Sequence, residues 1–397
     1  MLAPTAHLEL PFFVDSHREL GRRLAAWAPQ QQVDESDDRR ACRQWVRLLG
    51  DSGWLRYCVP AAFGGALEKL DSRALVVLRE TLAFHSPLAD FAFAMQGLGS
   101  GAITLAGSPA QQADYLGAVA RGDKIAAFAL SEPEAGSDVG AMAMTARFDD
   151  AGGAGTGTVL LDGTKTWISN GGIADYYCVF AKTDVALGTR GISAFIVDAG
   201  TAGLDDSEHI AVMAPHPLAT LRLRQCRIPA SAQLGATNGG FKLAMQTLDI
   251  FRASVAGAAL GMARRALQEA VAYAKARPMF GQRLAEFQLT QARLGEMAAL
   301  VDAGAMLTYR AAWLRDCVGT ATPSQAQAYS AQAAMAKMVA TENAQRVIDM
   351  ALQMHGGLGV KVGTKVESLY RDIRSLRIYE GATEVQQLII GKSVLKG

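Results

Sequence analysis

The chain reads as a multidomain α+β protein: an N-terminal helical domain over residues 1–124, a central β-barrel or β-sandwich domain over 125–235, and a C-terminal four-helix bundle over 236–397. Three observations predict this order. Apolar residues recur with helical periodicity near both ends, the middle switches to short runs rich in Val, Ile, Thr and Tyr, and the last part carries helical stretches longer than one small core requires. At 397 residues there is room for two or three domains of ordinary size, enough to bury a large ligand between them.

In the first segment ELGRRLAAWA (19–28) and DSRALVVLRETLAF (71–84) set an apolar stripe beside charged positions, and Pro60, Gly64 and Gly65 interrupt the pattern. Between about Ile125 and Gly235 the runs TVLLDG, YYCVFAKTD, GISAFIVDA and ATLRLRQCRI are separated by Gly, Asn, Asp and Pro, the punctuation of a β domain. DDAGGAGTGT (149–158) has the composition of a mobile hairpin tip. Beyond Gly240 no proline falls within 241–277, and Phe287, Leu294 and Val301 repeat every seven residues. Long helices packed as a bundle, with further packing between subunits, are expected.

Composition narrows the function. Half of the residues are apolar, yet no run approaches the ~18 that a membrane span needs. The net charge of +1 comes from 39 basic and 38 acidic side chains spread along the chain, without the basic stripe of a nucleic-acid binder. Cys42, Cys58, Cys178, Cys226 and Cys317 are odd in number and far apart, so neither a disulfide framework nor a zinc site is indicated and a reducing compartment is expected. The first twenty residues hold Asp15, His17 and Glu19 and lack the flank and core of a secretory signal, so a cytoplasmic location is expected.

Several stretches can carry chemistry. FALSEPEAGSDVGAM (128–142) packs Ser131, Gly136, Ser137 and Asp138 into a loop after an apolar run, where hydroxyls and amides can hold a polar ring or a phosphate. Taken singly it is also an ordinary strand-end loop. TWISNGG (166–172) sets a Trp and a Ser before Asn-Gly, a hairpin signal, and a Trp at a strand end is more often a core residue than a platform for a ligand. RPMFGQ (277–282) offers Arg277, whose planar fork suits phosphate, although a basic residue at a helix end also answers the macrodipole. QMHGGLG (353–359) offers Gln353 with Gly356 and Gly357, which blindly read as a helix C-cap, and His355 has no second metal-ligand type nearby, so it is taken as structural. In IYEGATEVQ (378–386), Glu380 precedes Gly381, and Thr383 and Gln386 stand in the T-x-x-Q order of a capping box, which holds the carboxylate at the mouth of a helix. A base that removes a proton next to a thioester carbonyl belongs in such a desolvated place, because burial raises its pKa toward the working range.

Taken together and in this order, the motifs resemble those of the acyl-CoA dehydrogenase family from about Ser16 to the C-terminus. The resemblance implies FAD as cofactor, with Phe128, Leu130, Ser131, Trp167, Ile168 and Ser169 lining the flavin and Gly136 and Ser137 near its phosphates or the bound thioester. It implies that Arg277, Phe280 and Gln288, followed by Gln353, Gly356 and Gly357, reach the pyrophosphate and adenosine of FAD, the first of these in a neighbouring subunit, and that Thr383 and Glu384 also contact the cofactor. Glu380 becomes the base, because the rival position on the helix over 241–277 holds Phe251. Phe251, Arg252, Tyr379, Gly381 and Ser137 are then expected at the substrate.

The implied reaction is α,β-dehydrogenation of an acyl-CoA to a trans-2-enoyl-CoA, with hydride passing to flavin N5. An electron-transfer flavoprotein is the expected acceptor, a homotetramer the expected assembly and fatty-acid β-oxidation the expected setting. Two alternatives stay open: a dehydrogenase of carrier-protein-bound acyl or aminoacyl thioesters, and a flavin-bearing protein that binds nucleic acid or a partner. Met279, where the family commonly has Thr, Ala382 and Glu384 depart from its pattern, as does MAPHPLATLRLRQCRIP (213–229).

Overall fold

The computed structural model describes residues 6–149, 157–319 and 322–396. Helices α1 (Asp15–Trp27), α2 (Asp38–Asp51), α3 (Ser72–His85), α4 (Pro87–Ala106) and α5 (Pro109–Arg121) come first. Strands β1 (Ala126–Ala129), β2 (Thr145–Asp149), β3 (Thr158–Ser169), β4 (Tyr176–Lys182), β5 (Ile192–Asp198), β6 (Leu204–His209), β7 (Leu218–Pro229) and β8 (Gln233–Leu234) follow. The last stretch holds α6 (Gly240–Ala276), a hairpin of β9 (Pro278–Met279) and β10 (Gln282–Arg283), α7 (Gln288–Trp313), α8 (Pro323–His355), α9 (Lys365–Leu376) and α10 (Thr383–Lys396). The helical, then β, then helical order read from the sequence is the observed one.

Local chemistry explains where the helices start. The side chains of Asp37 and Asp71 accept from Arg40 N and Ala74 N at 3.0 and 2.8 Å, capping α2 and α3. Ser108 and Gln111 form a reciprocal capping box ahead of α5, with Pro109 at its first position. α4 is apolar almost all round because it is buried almost all round, and Gly99 lets it close on β1, where a Cβ would meet Ala126 Cβ at 2.6 Å.

The β domain is one sheet in the order β6-β7-β3-β2-β4-β5-β8, with β1 added parallel to β4. β4 and β5 are buried on both faces over six of their seven residues, hence their nearly continuous apolar runs. β2 and β3 pair antiparallel, with Asp149 opposite Thr158, and residues 150–156 of the expected hairpin tip lie outside the described residues. The hairpin expected at Asn170-Gly171 is not formed: β3 pairs with β2 and β7, so β2 stands between it and β4. Asn170 instead takes φ +62° and turns the chain out of β3, its side chain donating to Ala126 O at 2.9 Å.

Two compact units emerge from the packing. One comprises residues 1–32, 71–90 and 249–397, and the other residues 33–70 and 91–248. In the first, α7 and α8 pack along their lengths and α8 also carries α9 and α10; in the second, α5 packs on the 54–58 turn.

Candidate active site

In the first unit the turn between α9 and α10 carries Glu380. Its backbone is held in the left-handed region at φ +52°, followed by Gly381 at +93°. For a side chain of this size that costs on the order of 1 kcal/mol or more, so the surroundings must impose it. They do so through the carbonyls. Arg252 Nε and Gln386 Nε2 donate to Glu380 O at 3.4 and 3.2 Å, and Lys337 Nζ and Gln386 Nε2 donate to Gly381 O, each at 2.8 Å. Lys337 is fully buried, and burial pushes its ammonium down to about 8.

The carboxylate itself is left bare. The residue as a whole is half-buried, but both carboxyl oxygens are buried and neither has a hydrogen-bond partner among the described residues. Its backbone N–H is also without one among them. Burial pushes the Glu380 carboxyl up; Arg79, Lys337 and Arg252 pull it down and Asp90 adds to the rise. Phe251 and Arg252 are buried on α6 in the same unit, and burial pushes the Tyr379 phenol up as well. The expected capping box is absent: Thr383 is already the first residue of α10, and its hydroxyl donates to Glu342 Oε1 at 2.6 Å, drawn by that carboxylate, while Gln386 reaches back to two carbonyls.

Further along this unit, Phe280 and Gly281 form the two-residue turn between β9 and β10 with φ of +49° and +83°, and the Phe280 side chain is 90% exposed. Arg277 is exposed, and its side chain has no hydrogen bond or ion pair among the described residues. Met279 and Gln353 line one groove of about 760 Å³ together with Thr290, Arg346 and Met350. Gly356 closes α8 at φ +57°, and both Gly356 and Gly357 face open space. Gln288 and Glu384 are exposed, without a contact that gives either a role. His355 Nδ1 lies 2.7 Å from Ala351 O and its ring stacks on Tyr273.

In the second unit the end of β1 and the end of β3 are fastened together. Lys165, fully buried, donates to Leu130 O at 3.0 Å and to Glu132 Oε1 at 2.7 Å, and Glu132 accepts from Ala143 N and Met144 N. Burial pushes the Lys165 ammonium down to about 8, while Glu132 holds it charged. The register of β3 on β7 shifts between Lys165 and Ile168, and at that bulge Trp167 takes φ +59° with 58% of its surface exposed. Phe128, Leu130 and Ile168 are buried behind it, Ser131 and Ser169 are half-buried, and Gly136 and Ser137 are exposed. Ser169 Oγ is 3.1 Å from His216 Nε2, the His216 ring packs 3.8 Å from that of Phe91, and burial pushes the imidazole down to about 3.

Sequence reasoning singled out the motif residues and missed their supports: Lys165, Glu132, Lys337, Arg79, Asp90 and His216. Glu132 stands in the loop motif beside Glu134 and Asp138, Lys165 directly precedes TWISNGG, and His216 is the odd residue of the departing stretch 213–229. Nothing local marks Arg79, Asp90 or Lys337.

In the second unit an exposed Trp in a strained conformation with a half-buried Ser near it fits a flat ring system, and in the first unit glycines facing open space and an exposed Arg whose side chain has no partner among the described residues fit phosphates. In the first unit the bare Glu380 carboxylate lies among cations, the setting of a general base. Profiles of the acyl-CoA dehydrogenase N-terminal, middle and C-terminal domains match residues 15–123, 127–226 and 238–395. A 3-(aryl)acrylate reductase of Clostridium sporogenes is 38% identical over 393 residues, 97% of this chain and 100% of that protein. The caffeyl-CoA reductase-Etf complex subunit CarC of Acetobacterium woodii is 38% identical, covering 87% of each chain. A Bacillus anthracis acyl-CoA dehydrogenase complexed with FAD superposes with a TM-score of 0.88 at 29% identity, over 97% of this chain and 67% of that one. This chain belongs to the acyl-CoA dehydrogenase family and is an oxidoreductase.

Proposed function

We propose that the protein interconverts an acyl-CoA thioester and its trans-2-enoyl counterpart, with Glu380 as the base in the oxidative direction. The observation that carries this reading is the buried Glu380 carboxylate, which has no hydrogen-bond partner among the described residues. A carboxylate kept out of water, raised by burial yet held ionisable by cations, is matched to an α proton that a thioester carbonyl has made weakly acidic. The backbone N–H of Glu380, unpaired among the described residues, would donate to that carbonyl and meet the charge that develops on oxygen. Phe251 keeps the neighbouring surface apolar, and Arg252 and Lys337 hold the turn so that the carboxylate does not move as it takes the proton.

The cofactor is FAD, which when bound supplies the two-electron acceptor for the β hydrogen. Trp167, Ser169, Ser131, Phe128, Leu130 and Ile168 would hold its ring, with Gly136 and Ser137 nearby. Arg277, Phe280, Gln288, Gln353, Gly356, Gly357, Thr383 and Glu384 would hold its phosphates and adenosine, partly across a homotetramer. An electron-transfer flavoprotein is the proposed redox partner, which the Etf complex of the Acetobacterium woodii relative supports.

Glu380→Gln is expected to retain FAD and lose flavin bleaching by acyl-CoA by roughly 10²- to 10⁴-fold under anaerobic conditions. Normal bleaching would remove Glu380 from this role. The two reductase relatives favour a second reading in which the same residues run in reverse, Glu380 returning the α proton to an enoyl or aryl-acryloyl thioester. Re-oxidation of the photoreduced protein by cinnamoyl-CoA, compared with its bleaching by 3-phenylpropanoyl-CoA and butanoyl-CoA, tells the two directions apart.

A further inference from the structure

Within the first unit, α3 and α4 bring a buried ion pair up to the turn that carries Glu380. Arg79 is 1% exposed and Asp90 2%. Arg79 Nε and Nη2 donate to the two Asp90 oxygens at 2.8 and 2.9 Å, and Nη1 donates to Ser254 Oγ at 3.1 Å. The Ser254 hydroxyl donates in turn to Phe251 O at 2.7 Å, so Arg79 grips the same turn of α6 from which Arg252 reaches Glu380 O. The Arg79 charge also acts on Tyr379, the residue before the base, and on Glu380 itself. A guanidinium tied this way on several edges cannot swing over to pair with the Glu380 carboxylate, whose oxygens stay without a hydrogen bond among the described residues.

The charged and titratable groups facing Glu380 are Arg79 from α3, Asp90 from α4, Arg252 from α6, Lys337 from α8, and Tyr379 from its own turn. Asp249 binds Arg252, and Glu342 binds Arg377 and Thr383. These groups divide by what they hold. Arg252 and Lys337 donate to backbone carbonyls of the turn, so removing either one would move it. Neither Arg79 nor Asp90 donates to those carbonyls: Asp90 reaches the turn only through Arg79, and Arg79 only through Ser254 and Tyr379, so the tethers from Arg252, Lys337 and Gln386 remain when either is altered. Their effect on the base is carried chiefly by charge through a dry interior, where a fixed charge acts strongly.

Resting on the reading of Glu380 as the base, we propose that Arg79, locked by Asp90 and Ser254, is a positioning residue that sets the proton affinity of Glu380 through space. The Arg79 cation keeps the buried carboxylate ionised, and the Asp90 anion limits that pull so that the carboxylate remains basic enough to take an α proton. A pair that merely fills the core would respond alike to loss of either member, since each loss strands a buried charge. A pair that tunes the base responds in opposite senses.

The test follows the pH dependence of anaerobic flavin bleaching in FAD-loaded protein, using whichever of butanoyl-CoA and 3-phenylpropanoyl-CoA bleaches the unmodified protein. Asp90→Asn removes the anion that raises Glu380, so the acid limb of the rate is expected to move down by about one pH unit. Arg79→Met removes the cation that lowers it, so the limb is expected to move up by at least as much, and Arg79→Lys to return it most of the way. Infrared titration of the Glu380 carboxyl, with the Glu380→Gln spectrum subtracted, should show the same two shifts in FAD-loaded protein without substrate. Where Arg79→Met does not fold, Asp90→Asn and Arg79→Lys decide the matter. Shifts of one sign in both variants, or no shift in protein that has kept its FAD, would overturn the proposal. Bleaching that survives Glu380→Gln would overturn the assignment of the base instead, which separates the two failures.

Discussion

The turn at Glu380 and the end of β3 at Trp167 each depend on a buried lysine, and they use it differently. Lys165 is matched within 2.7 Å by a carboxylate, so its charge is neutralised and its task is to fasten two loops. Lys337 donates to a carbonyl, and the anion that most favours its charge is a Glu380 carboxylate with which it makes no hydrogen bond. What the second unit fastens it then exposes, offering a strained Trp to a ligand. The first unit instead closes around a reactive group and leaves it unsatisfied. Frames are built from satisfied polar groups, and reactivity is stored where satisfaction is withheld.

Replacing the two lysines tests that contrast most severely. Lys165→Met strands Glu132 in the interior and is expected to cost roughly 3–5 kcal/mol in urea unfolding, with loosened FAD. Lys337→Met removes one of the two donors to Gly381 O and leaves a carboxyl that can take up a proton, so about 1–3 kcal/mol is expected. Equal losses would break the comparison.

Removing the bare carboxylate should do the opposite. Because burial raises the folded-state pKa of Glu380 above its ordinary 4.5, its ionised form opposes folding. The penalty is absent below about pH 4.5, grows as pH rises toward the raised value and is complete above it. Glu380→Gln is therefore expected to raise unfolding stability by about 1–3 kcal/mol at pH 8 and by less at pH 5, while abolishing turnover. A variant less stable than the parent at pH 8 would mean that the carboxylate has a partner after all.

The smallest effect on folding belongs to Trp167. Since most of its surface is already exposed, Trp167→Ala should change the stability of the FAD-free protein by no more than ~0.5 kcal/mol, yet weaken FAD retention on gel filtration. Loss of folding stability without loss of FAD would reverse its assigned role.

Much of this was legible beforehand because it is local. The order of helical and β segments follows from periodicity, and Glu380 between an apolar pair and a glycine suggested a carboxylate held at a helix mouth. Local signals also misled. Asn170-Gly171 has the chemistry of a hairpin turn, but which strands pair is settled by β2 coming between β3 and β4. Thr383 and Gln386 have capping-box spacing, but the Glu342 carboxylate, 41 residues away in the chain, competes for the Thr383 hydroxyl and wins it.

By itself the amino-acid sequence determined which segments would be helix or strand, and which few residues would stand at turns with unusual chemistry, because periodicity and turn preferences act within a handful of neighbouring residues. Only the tertiary structure decided that Lys165 meets Glu132, that His216 meets Ser169, and that Arg79 and Asp90 come to lie beside a carboxylate from the far end of the chain. Those meetings are products of packing, and burial then turns them into chemistry by removing the water that would otherwise screen one charge from the next.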